Sequence, residues 1–173
     1  MQRLFFSLKF SPVQQQQLLP YQQQALSVCP SANAVDTDNL HLTLFFLGQT
    51  DSEQQQRLIS AAQQINMPPF NLTLDTLSCF TKPKILYLAP SHIPNALWQL
   101  QQQVAALCKT AGFSDMHDSY RPHITLARQA LCDAALQQPV VPLTMQVSGF
   151  ALYQSAQFNG RLQYRPLHHF VLI

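Results

Sequence analysis

Asn39-Leu40-His41-Leu42-Thr43-Leu44-Phe45-Phe46-Leu47-Gly48 sets a histidine and a threonine two residues apart among aliphatic and aromatic neighbours. Successive side chains of an extended strand point to opposite faces, so His41 and Thr43 share one face while Leu42 and Leu44 share the other. The stretch predicts a half-buried strand, ended by Gly48, that shows one imidazole and one hydroxyl to a cleft. The tetrad recurs as His123-Ile124-Thr125-Leu126, introduced by Arg121-Pro122, with proline tolerated at the first position of a strand. One copy is read most simply as a strand histidine with a hydrogen bond and a threonine chosen for β propensity. Two copies in one chain of this length arise by accident in roughly one protein in a thousand at ordinary residue frequencies. The pair therefore predicts two related lobes facing one cleft, each contributing an imidazole, one as general base and one as general acid.

The remaining elements can be placed around these two strands. Arg3 to Phe10 reads as a buried first strand, and Ser11-Pro12 opens a helix to about Val28, since Ser suits the N-cap and Pro the first helical position. Thr50 with Glu53 makes a capping-box pattern for a helix to about Asn66. Phe70 to Leu77 alternates as a strand, Ile85 to Ala89 reads as its partner, and a helix starts at Pro94 and ends near Gly112. Val140 to Val147, Gly149 to Ser155 and Arg161 to Leu172 read as three strands, with a turn at Asn159-Gly160. Short connections favour antiparallel pairing, so the fold class is α+β. No Pro- or Ser-rich linker divides the chain, which predicts a single domain over residues 1–173.

Composition narrows the functions available. The chain has 173 residues, 47% of them hydrophobic, and no apolar run of membrane-spanning length, so a soluble globular protein with no membrane partner is expected. Charged residues are only 10%, and the Gln runs at Gln14 to Gln17, Gln22 to Gln24, Gln54 to Gln56 and Gln101 to Gln103 read as neutral, solvated helix faces. A net charge of +2 is too small for holding long nucleic acid by phosphate neutralisation alone. Lys82, Lys84, Arg121, Arg128, Arg161 and Arg165 flank the candidate strands and can meet an anion locally. Cys29, Cys79, Cys108 and Cys132 have no zinc-ligand spacing, and the first residues are strand-like rather than a secretory signal, so free thiols in the cytoplasm are expected. His168-His169 is adjacent rather than spaced for one metal and reads as structural.

Without metal-ligand spacing or a glycine-rich phosphate loop, phosphoryl chemistry here has to run on acid-base catalysis and hydrogen bonding. Two histidines suffice for in-line opening of a strained cyclic phosphate: one ring takes a proton from water, and the other gives one to the departing ribose oxygen. Thr43 and Thr125 share faces with the rings and can donate to the non-bridging oxygens.

These residues resemble the two-histidine phosphoesterases, most closely the bacterial RNA 2′,3′-cyclic phosphodiesterases, also called 2′-5′ RNA ligases. The resemblance extends to Arg3-Leu4-Phe5-Phe6, to the whole of 39–48, to Arg121-Pro122-His123-Ile124-Thr125-Leu126-Ala127-Arg128, and to Leu152-Tyr153-Gln154-Ser155 with Gly160 and Tyr164 following. It implies a bilobal fold of two mainly antiparallel sheets with helices outside, pseudo-symmetric about a central cleft. It implies hydrolysis of cyclic phosphate ends of RNA or small nucleotides to a 2′-phosphate, without metal or other cofactor, by a monomer, with slow 2′-5′ sealing as the reverse reaction. His41 and His123 are then catalytic, His41 as the acid on the 3′ oxygen and His123 as the base on water; Thr43, Thr125 and Arg128 bind the phosphate.

Strict alternation sets Arg128 on the face opposite His123, so its role requires a twist, bulge or strand end. Phe45 shares a face with His41 and Thr43 by alternation and is a candidate for stacking on a base, with Tyr87 a weaker one. Ala34-Val35-Asp36 stands where relatives often carry an Arg-Trp pair. The alternatives are a phosphodiesterase for another cyclic or 2′-5′ linked nucleotide, such as ADP-ribose cyclic phosphate, and a non-catalytic module binding RNA ends. Binding alone requires no matched acid and base, which argues against the second.

Overall fold

Hydrogen-bond ladders sort the strands of this computed structural model, which describes residues 1–132 and 136–173, into two antiparallel sheets. In chain order the elements are β1 (Gln2–Leu8), α1 (Pro12–Gln17), α2 (Leu19–Val28), β2 (Asn33–Ala34), a 3-10 turn (Thr37–Asn39), β3 (Thr43–Thr50), α3 (Ser52–Ala62), β4 (Phe70–Phe80), β5 (Ile85–Ala89), α4 (Asn95–Thr110), β6 (Ile124–Arg128), β7 (Gln137–Val147), β8 (Gly149–Phe158) and β9 (Arg161–Val171). One sheet runs β3-β1-β8-β9 and the other β2-β6-β5-β4-β7. The fold is α+β with two lobes, and one tetrad leads into β3 at the edge of its sheet while the other leads into β6, next to the edge strand β2 of the other sheet.

Local chemistry explains most boundaries and two departures from the sequence-based reading. Ser11 closes a capping box with Gln14, its Oγ accepting from the Gln14 N–H at 3.1 Å. The helix expected to reach Val28 in one piece breaks at Leu18, because Pro20 lacks an N–H and its ring clashes with the carbonyl four residues back. The second capping box is Asp51 with Gln54, one residue beyond the predicted Thr50 and Glu53, since Thr50 still belongs to β3. The Asn159-Gly160 turn is present, both residues at positive φ (51° and 74°), as a tight hairpin requires.

The helices cross between lobes. α2 follows β1 of the four-stranded sheet yet packs against β5 and β6 of the other; α4 follows β5 and packs against β3. One cluster of buried apolar residues, among them Leu4, Phe6, Leu42, Leu72, Leu86, Ile124 and Phe150, draws on both sheets.

The cysteines correct an expectation. Cys79 on β4 and Cys132 beyond β6 form a disulfide, their Cα atoms 6.7 Å apart, while Cys29 and Cys108 are free and buried. The partners are 53 residues apart in sequence and meet only because β6 lies one strand away from β4 in the sheet, which no local spacing announces.

Gly149 opens β8 where a Cβ atom would lie 2.6 Å from the Phe170 carbonyl oxygen of β9. Backbone cannot give as a flexible side chain would, so Gly149→Ala is expected to cost about 1–3 kcal/mol of stability. A denaturant titration with an unchanged midpoint would contradict this.

Candidate active site

Leu42 and Ile124, the second residues of the two tetrads, form an antiparallel backbone bridge between the sheets. Both side chains are fully buried, so the histidines and threonines lie on the other side of their backbones. Antiparallel register around this bridge sets His41 opposite Thr125 and Thr43 opposite His123. The four polar side chains therefore form a square with the imidazoles on one diagonal.

The rings are held alike. His41 Nδ1 lies 2.7 Å from the carbonyl of Asn39, and His123 Nδ1 lies 2.7 Å from the carbonyl of Arg121. A carbonyl only accepts, so each Nδ1 carries a proton and Nε2 is the nitrogen left for chemistry. In the neutral state His41 Nε2 accepts from the Thr43 hydroxyl at 3.1 Å. Burial lowers the His41 pKa to about 4, against the opposing hydrogen bond to Asn39 and with help from the charges of Arg128 and His123. His123 is lowered in the same way, by burial first and then by Arg128 and His117, again against its carbonyl bond.

Two β-bulges decide which neighbours join the square. Phe6 pairs with Phe45 but Ser7 pairs with Thr43, so Leu44 is an extra residue on β3; Leu86 pairs with Ala127 but Tyr87 with Thr125, so Leu126 is an extra residue on β6. The bulges fall at the fourth position of each tetrad. Paired residues share a face, and the consequences follow directly. Arg128, paired with Ile85, comes onto the face of Tyr87 and Thr125, as its assignment to phosphate requires. Phe45, paired with Phe6, turns away from Thr43 into the core and is 4% exposed, which corrects its assignment as a base-stacking residue. Phe46 takes the cleft face instead, opposite Phe5, with the Arg3 guanidinium 5.0 Å from its ring.

Both bulge carbonyls are met by glutamines from the crossing helices. Gln22 of α2 donates to Leu126 O at 2.9 Å and to Val35 O at 2.8 Å, and Gln101 of α4 reaches Leu44 O at 3.5 Å. These two side chains are buried, correcting the reading of their Gln runs as wholly solvated faces. Tyr120 adds a link between motifs, its hydroxyl donating to Thr43 O at 3.1 Å.

Aromatic rings wall each histidine. Phe5 and Tyr164 lie 5.1 and 4.8 Å from the His41 ring; Phe80 and Tyr87 lie 5.2 and 5.4 Å from His123 and stack on each other. Tyr87, a weak candidate from sequence, is thus part of the cleft wall. Arg121 lies over Phe80, whereas Arg165 lies over Phe158.

Residues 24–157 match the model of the 2′-5′ RNA ligase superfamily. The chain belongs to that family. Across 172 residues it is 32% identical to an RNA 2′,3′-cyclic phosphodiesterase of Escherichia coli, covering 99% of this chain and 97% of the relative. Among solved structures, a phosphoesterase superposes with a TM-score of 0.89 at 31% identity, covering 99% of this chain and 98% of that one. E. coli LigT complexed with 3′-AMP gives a TM-score of 0.87 at 30% identity, covering 99% and 98%. The relatives carry the same two-sheet architecture over essentially the whole chain.

Because the His41 pKa is lowered on folding, the unfolded chain holds more protons than the folded one between pH 6.5 and about 4, so stability rises with pH across that window. Denaturant midpoints should fall on acidification through it, and His41→Gln should flatten the dependence. An equally steep fall in the variant would remove His41 as a cause.

Proposed function

We propose that this chain hydrolyses 2′,3′-cyclic phosphate ends of RNA or nucleotides to 2′-phosphates, using His41 and His123 as an acid-base pair. The observation that carries this reading is the diagonal placement of two imidazoles about the Leu42–Ile124 bridge, each with Nδ1 engaged and Nε2 available. The relatives named for this activity support the substrate class.

The substrate phosphate occupies the square. Its negative charge favours the protonated imidazole, which burial disfavours in the empty cleft, so the proton on His41 Nε2 enters with the substrate. Thr43, no longer donating to that nitrogen, turns its hydroxyl to a non-bridging oxygen, as does Thr125, and Arg128 balances the charge that builds there. His123 Nε2 takes a proton from water, the water oxygen bonds to phosphorus, and the opposite P–O3′ bond breaks as His41 gives its proton to O3′. The product is a 2′-phosphate with a free 3′-hydroxyl. With a 5′-hydroxyl in place of water, the same groups form a 2′-5′ linkage: His123 takes the hydroxyl proton, the 5′ oxygen bonds to phosphorus, and O3′ leaves with the proton from His41. We propose a monomeric, single-domain enzyme. No helix among the described residues is long and apolar enough to cross a membrane.

His41→Ala and His123→Ala should each lower turnover of a 2′,3′-cyclic nucleotide by roughly 10² to 10⁴, with activity retained in EDTA. Near-normal turnover in either variant, or loss in EDTA restored by a divalent ion, would remove the mechanism. The two pH profiles should also separate. Lowered pKa values in the empty cleft draw the kcat/KM optimum to the acid side of the ordinary imidazole value, while kcat, which reports the phosphate-bound state, should peak at higher pH. Coincident optima, with chemistry rate-limiting, would count against phosphate-driven protonation.

A further inference from the structure

Asn39 precedes the first tetrad and is buried, with both ends of its side-chain amide in use. Its Nδ2 donates to Leu162 O at 2.8 Å and its Oδ1 accepts from the Tyr164 N–H at 3.0 Å, so the amide closes on β9 as a backbone segment would. Its own carbonyl is the acceptor for His41 Nδ1–H at 2.7 Å, and its N–H is held by Asp36 O at 2.8 Å. Tyr164, the residue clasped, stands edge-on against the His41 ring at 4.8 Å. One buried amide therefore fixes both the hydrogen-bond acceptor and an aromatic wall of the same imidazole.

The second tetrad lacks this arrangement. His123 Nδ1 also bonds a carbonyl two residues upstream, but that residue is Arg121, whose side chain is exposed and lies over Phe80. The two rings are alike in their own bonds and differ in what holds the acceptor.

We propose that Asn39 is a positioning residue for His41: by fastening the 3-10 turn to β9 it holds the tautomer and orientation in which Nε2 is presented to the leaving oxygen. This rests on the reading of His41 as the proton donor. A carbonyl held from three sides cannot drift from Nδ1–H, and a ring whose Nδ1 is pinned cannot exchange its proton to Nε2 while neutral. Without the amide, the turn is joined to β9 less firmly, Nδ1 loses a fixed acceptor and the neutral ring samples both tautomers. The effect falls on turnover rather than on substrate affinity, because Asn39 acts through His41 and the threonines and Arg128 remain in place.

The test uses ¹⁵N NMR of the histidine side chains in the full-length protein, with kinetics on a 2′,3′-cyclic nucleotide. In the parent protein His41 should show the Nδ1–H tautomer. In Asn39→Ala the His41 signals should move toward a mixture while those of His123 stay, and kcat should fall roughly 10- to 100-fold with KM little changed, the scale on which the hydrogen-bond partners of metal-bound histidines are felt. Asn39→Asp, which keeps the acceptor for Tyr164 N–H but loses the donor to Leu162 O, should show a smaller change of the same kind and serves if the alanine variant does not fold. Unchanged His41 signals and kcat in a folded variant would overturn the proposal, as would equal changes at both rings. The tautomer is read without substrate, so a failure of the acid-base reading, seen as an active His41→Ala enzyme, is distinguishable from a failure of the positioning role.

Discussion

A single backbone pairing, Leu42 with Ile124, is the constraint on which the site depends. The two sheets are otherwise separate ladders, and the bridge is where motif meets motif. Its surroundings reinforce it: the buried Ser7 hydroxyl donates to Leu42 O at 2.7 Å, the Leu8 N–H donates to the same oxygen at 3.0 Å, and Tyr120 ties the loop before the second motif to Thr43 O. A catalytic pair separated by an ångström too much loses effective concentration steeply. Backbone hydrogen bonds set that separation more firmly than side-chain packing between independent lobes could.

The crossing helices give the same constraint a second support. Since α2 and α4 each pack on the lobe they do not follow in the chain, moving one lobe away from the other would expose apolar surface on both. Their buried glutamines reach the bulge carbonyls of the two tetrads, where the ladder is interrupted, Gln22 sharing Leu126 O with the Val35 N–H. The pseudo-symmetry thus extends beyond the tetrads to a bulge and a glutamine in each half. The bulges then break that symmetry in content: the residue five positions after each histidine reaches the cleft, an aromatic Phe46 in one half and a cationic Arg128 in the other.

Burial and the proposed catalysis pull against each other at the histidines. Packing His41 against Phe5 and Tyr164 buries it and lowers its pKa, against the Asn39 carbonyl bond that orients the ring, so an empty cleft is a poor place for a proton. A bound phosphate reverses the sign of that environment by supplying the missing negative charge. Arg128 opposes protonation of both rings in the empty cleft, and in the proposed mechanism the same guanidinium balances the phosphate.

The identity of the chemistry was legible in the chain, because a strand's two-residue period puts His and Thr on one face whatever surrounds them, and because capping residues and the Asn159-Gly160 turn act locally. The order of the main strands and helices followed from the same short-range rules, apart from the break at Pro20, the one-residue shift of the cap before α3, the passage of β3 through Gly48 to Thr50, and β2 with the 3-10 turn, which have no local signal. Facing beyond the tetrads was not legible. A bulge is a property of two paired strands, so alternation along one strand placed Phe45 in the cleft and Arg128 outside it, and pairing with β1 and β5 reversed both. Gln22, Gln101 and the Cys79–Cys132 disulfide were hidden for a related reason: a glutamine in a run looks like its solvated neighbours, and a cysteine pair separated by 53 residues carries no spacing signal. Residue types determined which reactions this chain can support, through proton affinity and hydrogen-bonding capacity intrinsic to each side chain. Which of those residues share one cleft was decided by the tertiary structure, because contact across strands depends on register, and register is set by partners far away in the chain.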